Sequence, residues 1–154
     1  MAVSYEESAL EQPRTSGLGR VLITVYLILA LAATLRAVYQ IIAKFDEAPL
    51  AYTLSLVSGL VYILATLALL KRTGGWRNVA WVALTFELAG VLIVGTLSLT
   101  LPELFAHDSV WSFFGSGYLF VPLVLPILGM IWLRRDHAAS QDVNEDHDPG
   151  ESLY

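Results

Sequence analysis

The sequence predicts an all-α polytopic membrane protein: a four-transmembrane-helix antiparallel bundle with both termini cytoplasmic. Three observations carry that expectation. First, 56% of the 154 residues are hydrophobic and only 15% are charged, against about 25% charged in an ordinary soluble domain. Second, the apolar residues gather in four long segments, each near the roughly 20 residues that a helical span needs. Third, the basic residues are one-sided. Arg14, Arg20, Lys71, Arg72, Arg77, Arg134 and Arg135 fall on one side of this threading, and only Arg36 and Lys44 on the other. Seven against two is a positive-inside bias.

The segments follow in order. Residues 1–17 form a polar N-terminal segment. Glu6, Glu7 and Glu11 outweigh Arg14 there, the wrong sign for a signal-peptide n-region. A-L-A at 30–32 looks like a peptidase site, but the apolar pattern runs past it. Span 1 covers about 18–43. Its uncharged core, Val21 to Leu35, is roughly 22 Å long as a helix, and Arg20 and Arg36 reach their nearer interfaces from its ends. Asp46, Glu47 and Pro49 make a turn. Span 2 covers about 49–70 without a charge. The short connection from Lys71 to Asn78 makes spans 2 and 3 antiparallel neighbours. Span 3 covers about 79–101, and span 4 about 110–133. The whole transmembrane domain is thus 18–133. Residues 134–154 read as an acidic, disordered cytoplasmic tail. Trp76, Trp81 and Trp132 mark the inner interface, and Trp111 with Phe113 and Phe114 the outer one.

Composition excludes several chemistries. Without cysteine there are no disulfides, thiolate metal sites or palmitoylation, and a four-helix thiol oxidoreductase is ruled out. The net charge of -5 reflects the tail, and no basic surface for nucleic acid is present. No metal or cofactor is expected. His107, His137 and His147 lie outside the spans, so a buried haem has no axial ligand. No Ser/His/Asp set, Walker loop or zinc motif occurs, and Gly17-Leu18-Gly19 is too short for a nucleotide fingerprint.

Glu87 is the outstanding polar residue. It sits in L-T-F-E-L-A-G-V-L, with no other charge between Arg77 and Glu103. It lies roughly 12 Å into span 3. An acid at helix centre costs on the order of 3 kcal/mol on insertion scales, and a neutral carboxyl costs less than an ionised one. Ala83, Glu87, Gly90, Val94 and Ser98 share a face, and small residues at that spacing point to a neighbouring helix rather than lipid. Span 2 offers a matching face: Ser55, Ser58, Gly59, Tyr62, Ala65 and Thr66. Tyr62 and Thr66 are therefore the expected partners of the carboxyl. Two readings stand. The site is a polar clasp between helices, or it is a proton or cation site.

Arg36 lies about 10 Å from Glu87 along the membrane normal. It reads as an outer-side polar anchor, with Ser55, Ser58, Thr96 and Ser98 as its nearer partners. In span 4, Pro122 and Pro126 sit one turn apart and predict a helix kink, with freed carbonyls at Tyr118 and Pro122.

The run A-W-V-A-L-T-F-E-L-A-G-V-L-I-V-G-T-L-S-L, the later W-S-F-F-G-S-G-Y-L-F-V-P-L-V-L-P-I-L-G and the E-A-P-L-A-Y turn at 47–52 resemble a group of short actinobacterial, mycobacterial-type four-helix integral membrane proteins. The resemblance covers about 18–133. It implies a four-helix fold and a bacterial inner-membrane location, and it transfers no catalytic residue. The expected partners are the lipid bilayer and either a homo-oligomer or other membrane proteins. The leading expectation is a non-enzymatic accessory or self-associating bundle. The alternative is a small proton-coupled transporter or channel subunit using Glu87. Small multidrug exporters offer a partial analogy, since their membrane glutamate usually lies in the first span rather than the third.

Overall fold

The computed structural model describes residues 17–71 and 74–145. The polar N-terminal segment up to residue 16, Arg72 and Thr73, and the end of the tail from residue 146 lie outside the described residues. The described chain is all-α. It comprises α1 (Gly17–Lys44), α2 (Pro49–Lys71), α3 (Trp76–Thr100) and α4 (Val121–Glu145). Three 3₁₀ segments join them: Phe45–Glu47, Pro102–Leu104 and Ser112–Tyr118.

Local chemistry explains the helix ends. Pro49 opens α2, where its missing N–H is no loss. Lys44 and Lys71 occupy the last turns of α1 and α2, favourable at the negative end of the helix dipole. Leu101 N–H closes α3 on the Leu97 carbonyl at 2.8 Å, and Pro102 stops it. Hydroxyls inside the helices bond backward to their own backbone. Thr53 donates to the Pro49 carbonyl, Thr66 to that of Tyr62, Thr96 to that of Leu92 and Ser98 to that of Val94, all at 2.6–2.7 Å. An apolar medium requires such local satisfaction.

Three helical stretches, Gly17–Glu47, Pro49–Lys71 and Trp76–Thr100, are long and apolar enough to cross a membrane. Ser112–Tyr118 and Val121–Asp142 make a fourth if the bent pair counts as one span. Their outward faces are apolar, with Leu35 70% and Ile42 80% exposed. An apolar surface of that extent suits lipid rather than water. These are the marks of a multi-pass membrane protein.

The core lies along the inward faces. α1 packs most extensively on α2, α2 on α3, and α3 on both α4 and the Ser112–Tyr118 segment. Gly59 permits the α1–α2 approach: a Cβ there would lie 3.2 Å from the Thr34 backbone. Ser55, Ser58, Gly59, Tyr62, Ala65 and Thr66 are all buried. At one end, Trp132 packs on Gly19, the Arg77 guanidinium donates to the Leu133 carbonyl at 3.3 Å, and Arg134 lies 5.7 Å over the Trp81 ring. These contacts gather Arg20, Arg77, Arg134 and Arg135 at one basic end.

The fourth segment differs most from expectation. The sequence predicts one helix over about 110–133, kinked at Pro122 and Pro126. Instead the chain turns by 95° between Ser112–Tyr118 and α4. The break falls at Leu119 and Phe120, both left-handed with φ 56° and 60°. Pro122 stands in the first turn of α4, where it frees no helical carbonyl, and only Pro126 is interior. A further left-handed run covers Phe113, Phe114 and Gly115. Each non-glycine residue held there costs roughly 1–2 kcal/mol. Hydrogen bonds from Leu119 N–H to Ser116 and from Phe120 N–H to Gly115 hold the turn at 3.0–3.1 Å. At its far end α4 runs on through Arg134 to Glu145, so residues 134–145 are helix rather than disordered tail. Helix-forming Ala138, Ala139 and Gln141 favour that continuation.

Candidate functional site

Four side chains from four parts of the fold converge on the bundle interior: Tyr26 of α1, Tyr62 of α2, Glu87 of α3 and Trp111 from the loop after α3. The first three have no exposed surface, and Trp111 is 2% exposed. The Tyr26 hydroxyl donates to Glu87 Oε2 at 2.7 Å. The Trp111 indole N–H donates to the Tyr62 hydroxyl at 3.1 Å. The two tyrosine rings face each other, tilted by 53°, with centroids 6.3 Å apart. Glu87 Oε1 is buried and has no hydrogen-bond partner.

The helical repeats produce this meeting. On α1, Leu22, Tyr26, Leu29, Ala30, Ala33 and Ala37 are the buried stripe. On α3, Ala80, Ala83, Leu84, Glu87, Val91, Val94 and Ser98 form another. α1 and α3 do not pack closely along their backbones, since each lies against α2 and α4. The Tyr26–Glu87 bond therefore spans the bundle diagonally, and a long phenol is needed to reach.

Glycines on α3 admit the returning loop. A Cβ at Gly90 would lie 2.6 Å from the Trp111 ring, and one at Gly95 2.5 Å from the Phe114 ring. Gly90 is ten residues before the end of α3, so the chain dips back about 15 Å along that helix. Ser109 and Ser112 fix the approach to the dip: the Ser109 N–H donates to Ser112 Oγ at 2.9 Å, and the two hydroxyls lie 2.9 Å apart.

Two expected partners are thus replaced. Neither Tyr62 nor Thr66 holds the Glu87 carboxyl. The Tyr62 hydroxyl accepts from Trp111, and Thr66 donates to the Tyr62 carbonyl. Sequence periodicity does not mark Tyr26, although it lies nearly two turns inside Arg20 and its hydroxyl needs a partner in lipid. Trp111 and Trp132 are buried in the core. Arg36 donates to the Tyr118 hydroxyl at 3.3 Å rather than to Ser55, Ser58, Thr96 or Ser98. It lies at the far end from the basic cluster, beside the Ser112–Tyr118 segment. Among the described residues no group of three or more acids and histidines is placed to hold a metal.

Chemically, the cluster provides one donated hydrogen bond to a carboxyl, one vacant acceptor and a sealed apolar surround. Tyr26→Phe removes the donor and leaves the carboxyl without any partner. Its expected effect is a loss of about 1–3 kcal/mol, read as a lower thermal midpoint in detergent; an unchanged midpoint would show that the bond contributes nothing.

Compared with protein-family models, with curated proteins and with solved structures, the chain matches none.

Proposed function

We propose that this chain is a non-enzymatic integral membrane protein, an accessory or self-associating four-span bundle. The observation that carries this reading is the closure of the Glu87 cluster. The carboxyl has no exposed surface and is bonded across the bundle by Tyr26. A group so enclosed serves as a clasp that selects one packing of helices.

The threading belongs to the same proposal. Successive spans run antiparallel, and the end bearing Arg20, Lys71, Arg77, Arg134 and Arg135 faces the cytoplasm by the positive-inside bias. Both termini then lie inside. The resemblance of 18–133 to short actinobacterial membrane proteins supports a bacterial inner membrane. The partners are lipid and either a second copy or another membrane protein.

One observation favours a second reading. Glu87 Oε1 is a buried acceptor without a donor, and intramembrane acids recur on proton pathways. In that reading the chain is a small proton-coupled transporter or channel subunit. Proton flux into proteoliposomes, followed with an entrapped pH-sensitive dye, separates the two. The accessory reading expects the parent and Glu87→Gln to match empty liposomes. Flux in the parent that Glu87→Gln abolishes would overturn it.

A further inference from the structure

At the basic end, an open groove runs along the outer face of α3, lined by Trp81, Val82, Thr85, Phe86 and Ala89. From Trp81 to Ala89 it extends roughly 12 Å toward the bundle's middle. Its lining is apolar but for the Thr85 hydroxyl. Phe86 meets the buried Trp111 ring edge-on, 6.3 Å between centroids, which fixes the floor. Arg134 of α4 lies over Trp81, the residue at the groove's basic end. Arg135 follows it and is exposed.

The neighbouring charges leave Arg134 available. Arg77 is bound to the Leu133 carbonyl. Asp136 lines a separate small cavity with Arg77, Ala68, Leu69 and Leu133, toward α2. Among the described residues Arg134 makes no ion pair. Its guanidinium lies within cation–π range of the Trp81 ring, and its N–H groups can turn to a two-oxygen acceptor such as a phosphate.

We propose that this groove is an anionic-phospholipid site, taking one acyl chain along Val82, Phe86 and Ala89 and its phosphate on Arg134. The charge decides the occupant. A zwitterionic lipid fills the apolar part equally well, but its own cation offsets the gain at Arg134. Basic residues at this membrane depth attract acidic headgroups, on the order of fivefold in affinity for each. The inference rests on the reading of the chain as a membrane protein.

Lipids brominated on the acyl chain test it, because bromine quenches only nearby indoles. The full chain is reconstituted with brominated phosphatidylglycerol or brominated phosphatidylcholine in an unbrominated background. The Trp81 contribution is the quenching lost in Trp81→Phe. The expected result is half-maximal quenching of Trp81 at about fivefold less phosphatidylglycerol than phosphatidylcholine. Arg134→Gln should bring the two lipids to parity, and Arg134→Lys should keep part of the preference. Inorganic phosphate at millimolar concentration should leave the preference in place; if it removes it, the site is one for free phosphate and the proposal fails. Equal quenching by both lipids in the parent overturns the proposal while leaving the membrane reading intact. Quenching of the other tryptophans without any from Trp81 overturns the site alone, and quenching of no tryptophan by either lipid overturns both. A preference unchanged in Arg134→Gln, with its thermal midpoint at the parent's value, also rejects the assignment.

Discussion

Glu87→Leu is expected to lower the thermal midpoint in detergent, whereas Glu87→Gln holds it near the parent's. Leucine fills a similar space but accepts no hydrogen bond. The Tyr26 hydroxyl, fully buried, then has lost its partner, and such a stranded donor costs about 1–3 kcal/mol. Glutamine still presents a carbonyl oxygen where Oε2 accepts from Tyr26, so its change should stay within about 1 kcal/mol. The two variants differ in hydrogen bonding far more than in shape. A leucine variant as stable as the parent would mean that the diagonal bond does not hold α1 to α3.

The second large effect concerns the glycines that admit the returning loop. Gly95→Ala should destabilise the fold by about 1–3 kcal/mol, the range for an added methyl in a filled core. The new Cβ would lie 2.5 Å from the Phe114 ring and 2.8 Å from the Phe114 backbone nitrogen. The ring can rotate away, but the backbone belongs to a left-handed turn at φ 59° that has no easy second position. Gly90→Ala should do less damage to stability and more to the cluster. The three atoms nearest its Cβ all belong to the Trp111 ring, and moving that ring breaks the bond to Tyr62. A red shift of the tryptophan emission in Gly90→Ala, absent in Gly95→Ala, is the expected signature. Parent-like emission and stability in both would place the loop elsewhere.

The sequence made some of this legible and hid the rest for physical reasons. Periodicity marks the face of α2 well, because Ser55, Ser58, Gly59, Tyr62 and Thr66 repeat at three and four residues and are too small or polar to face lipid. Depth along a single helix marks Glu87 equally well. Which residue meets Glu87 is another matter. Short loops make α2 the natural neighbour of α3, so Tyr62 looked like the partner. The diagonal contact from Tyr26 depends on how three helices and the loop after α3 close around one centre, and no one-dimensional repeat encodes that. The fourth segment misled for a related reason. Trp111, Phe113 and Phe114 have the composition of an interfacial belt, and the prolines suggest a kinked helix. The left-handed turn at Phe113 and Phe114 sits against the slot that Gly95 opens in another helix, and the Trp111 ring fills the slot at Gly90. The pairing of those glycines with the downstream aromatics was the available signal. The helix through 134–145 was hidden by its charge, which suggests disorder although Arg134, Arg135, Ala138, Ala139 and Gln141 are good helix formers.

Tyr26 and Glu87 act as one clasp across the bundle. A double-mutant cycle tests it most directly, using thermal or denaturant stability of the parent, Tyr26→Phe, Glu87→Leu and the double variant in one detergent. Removing both partners leaves no stranded donor or acceptor, so the double variant should be more stable than the sum of the single losses predicts, by about 1 kcal/mol or more. Losses that simply add would contradict the clasp and leave Glu87 as a buried acid with no structural partner.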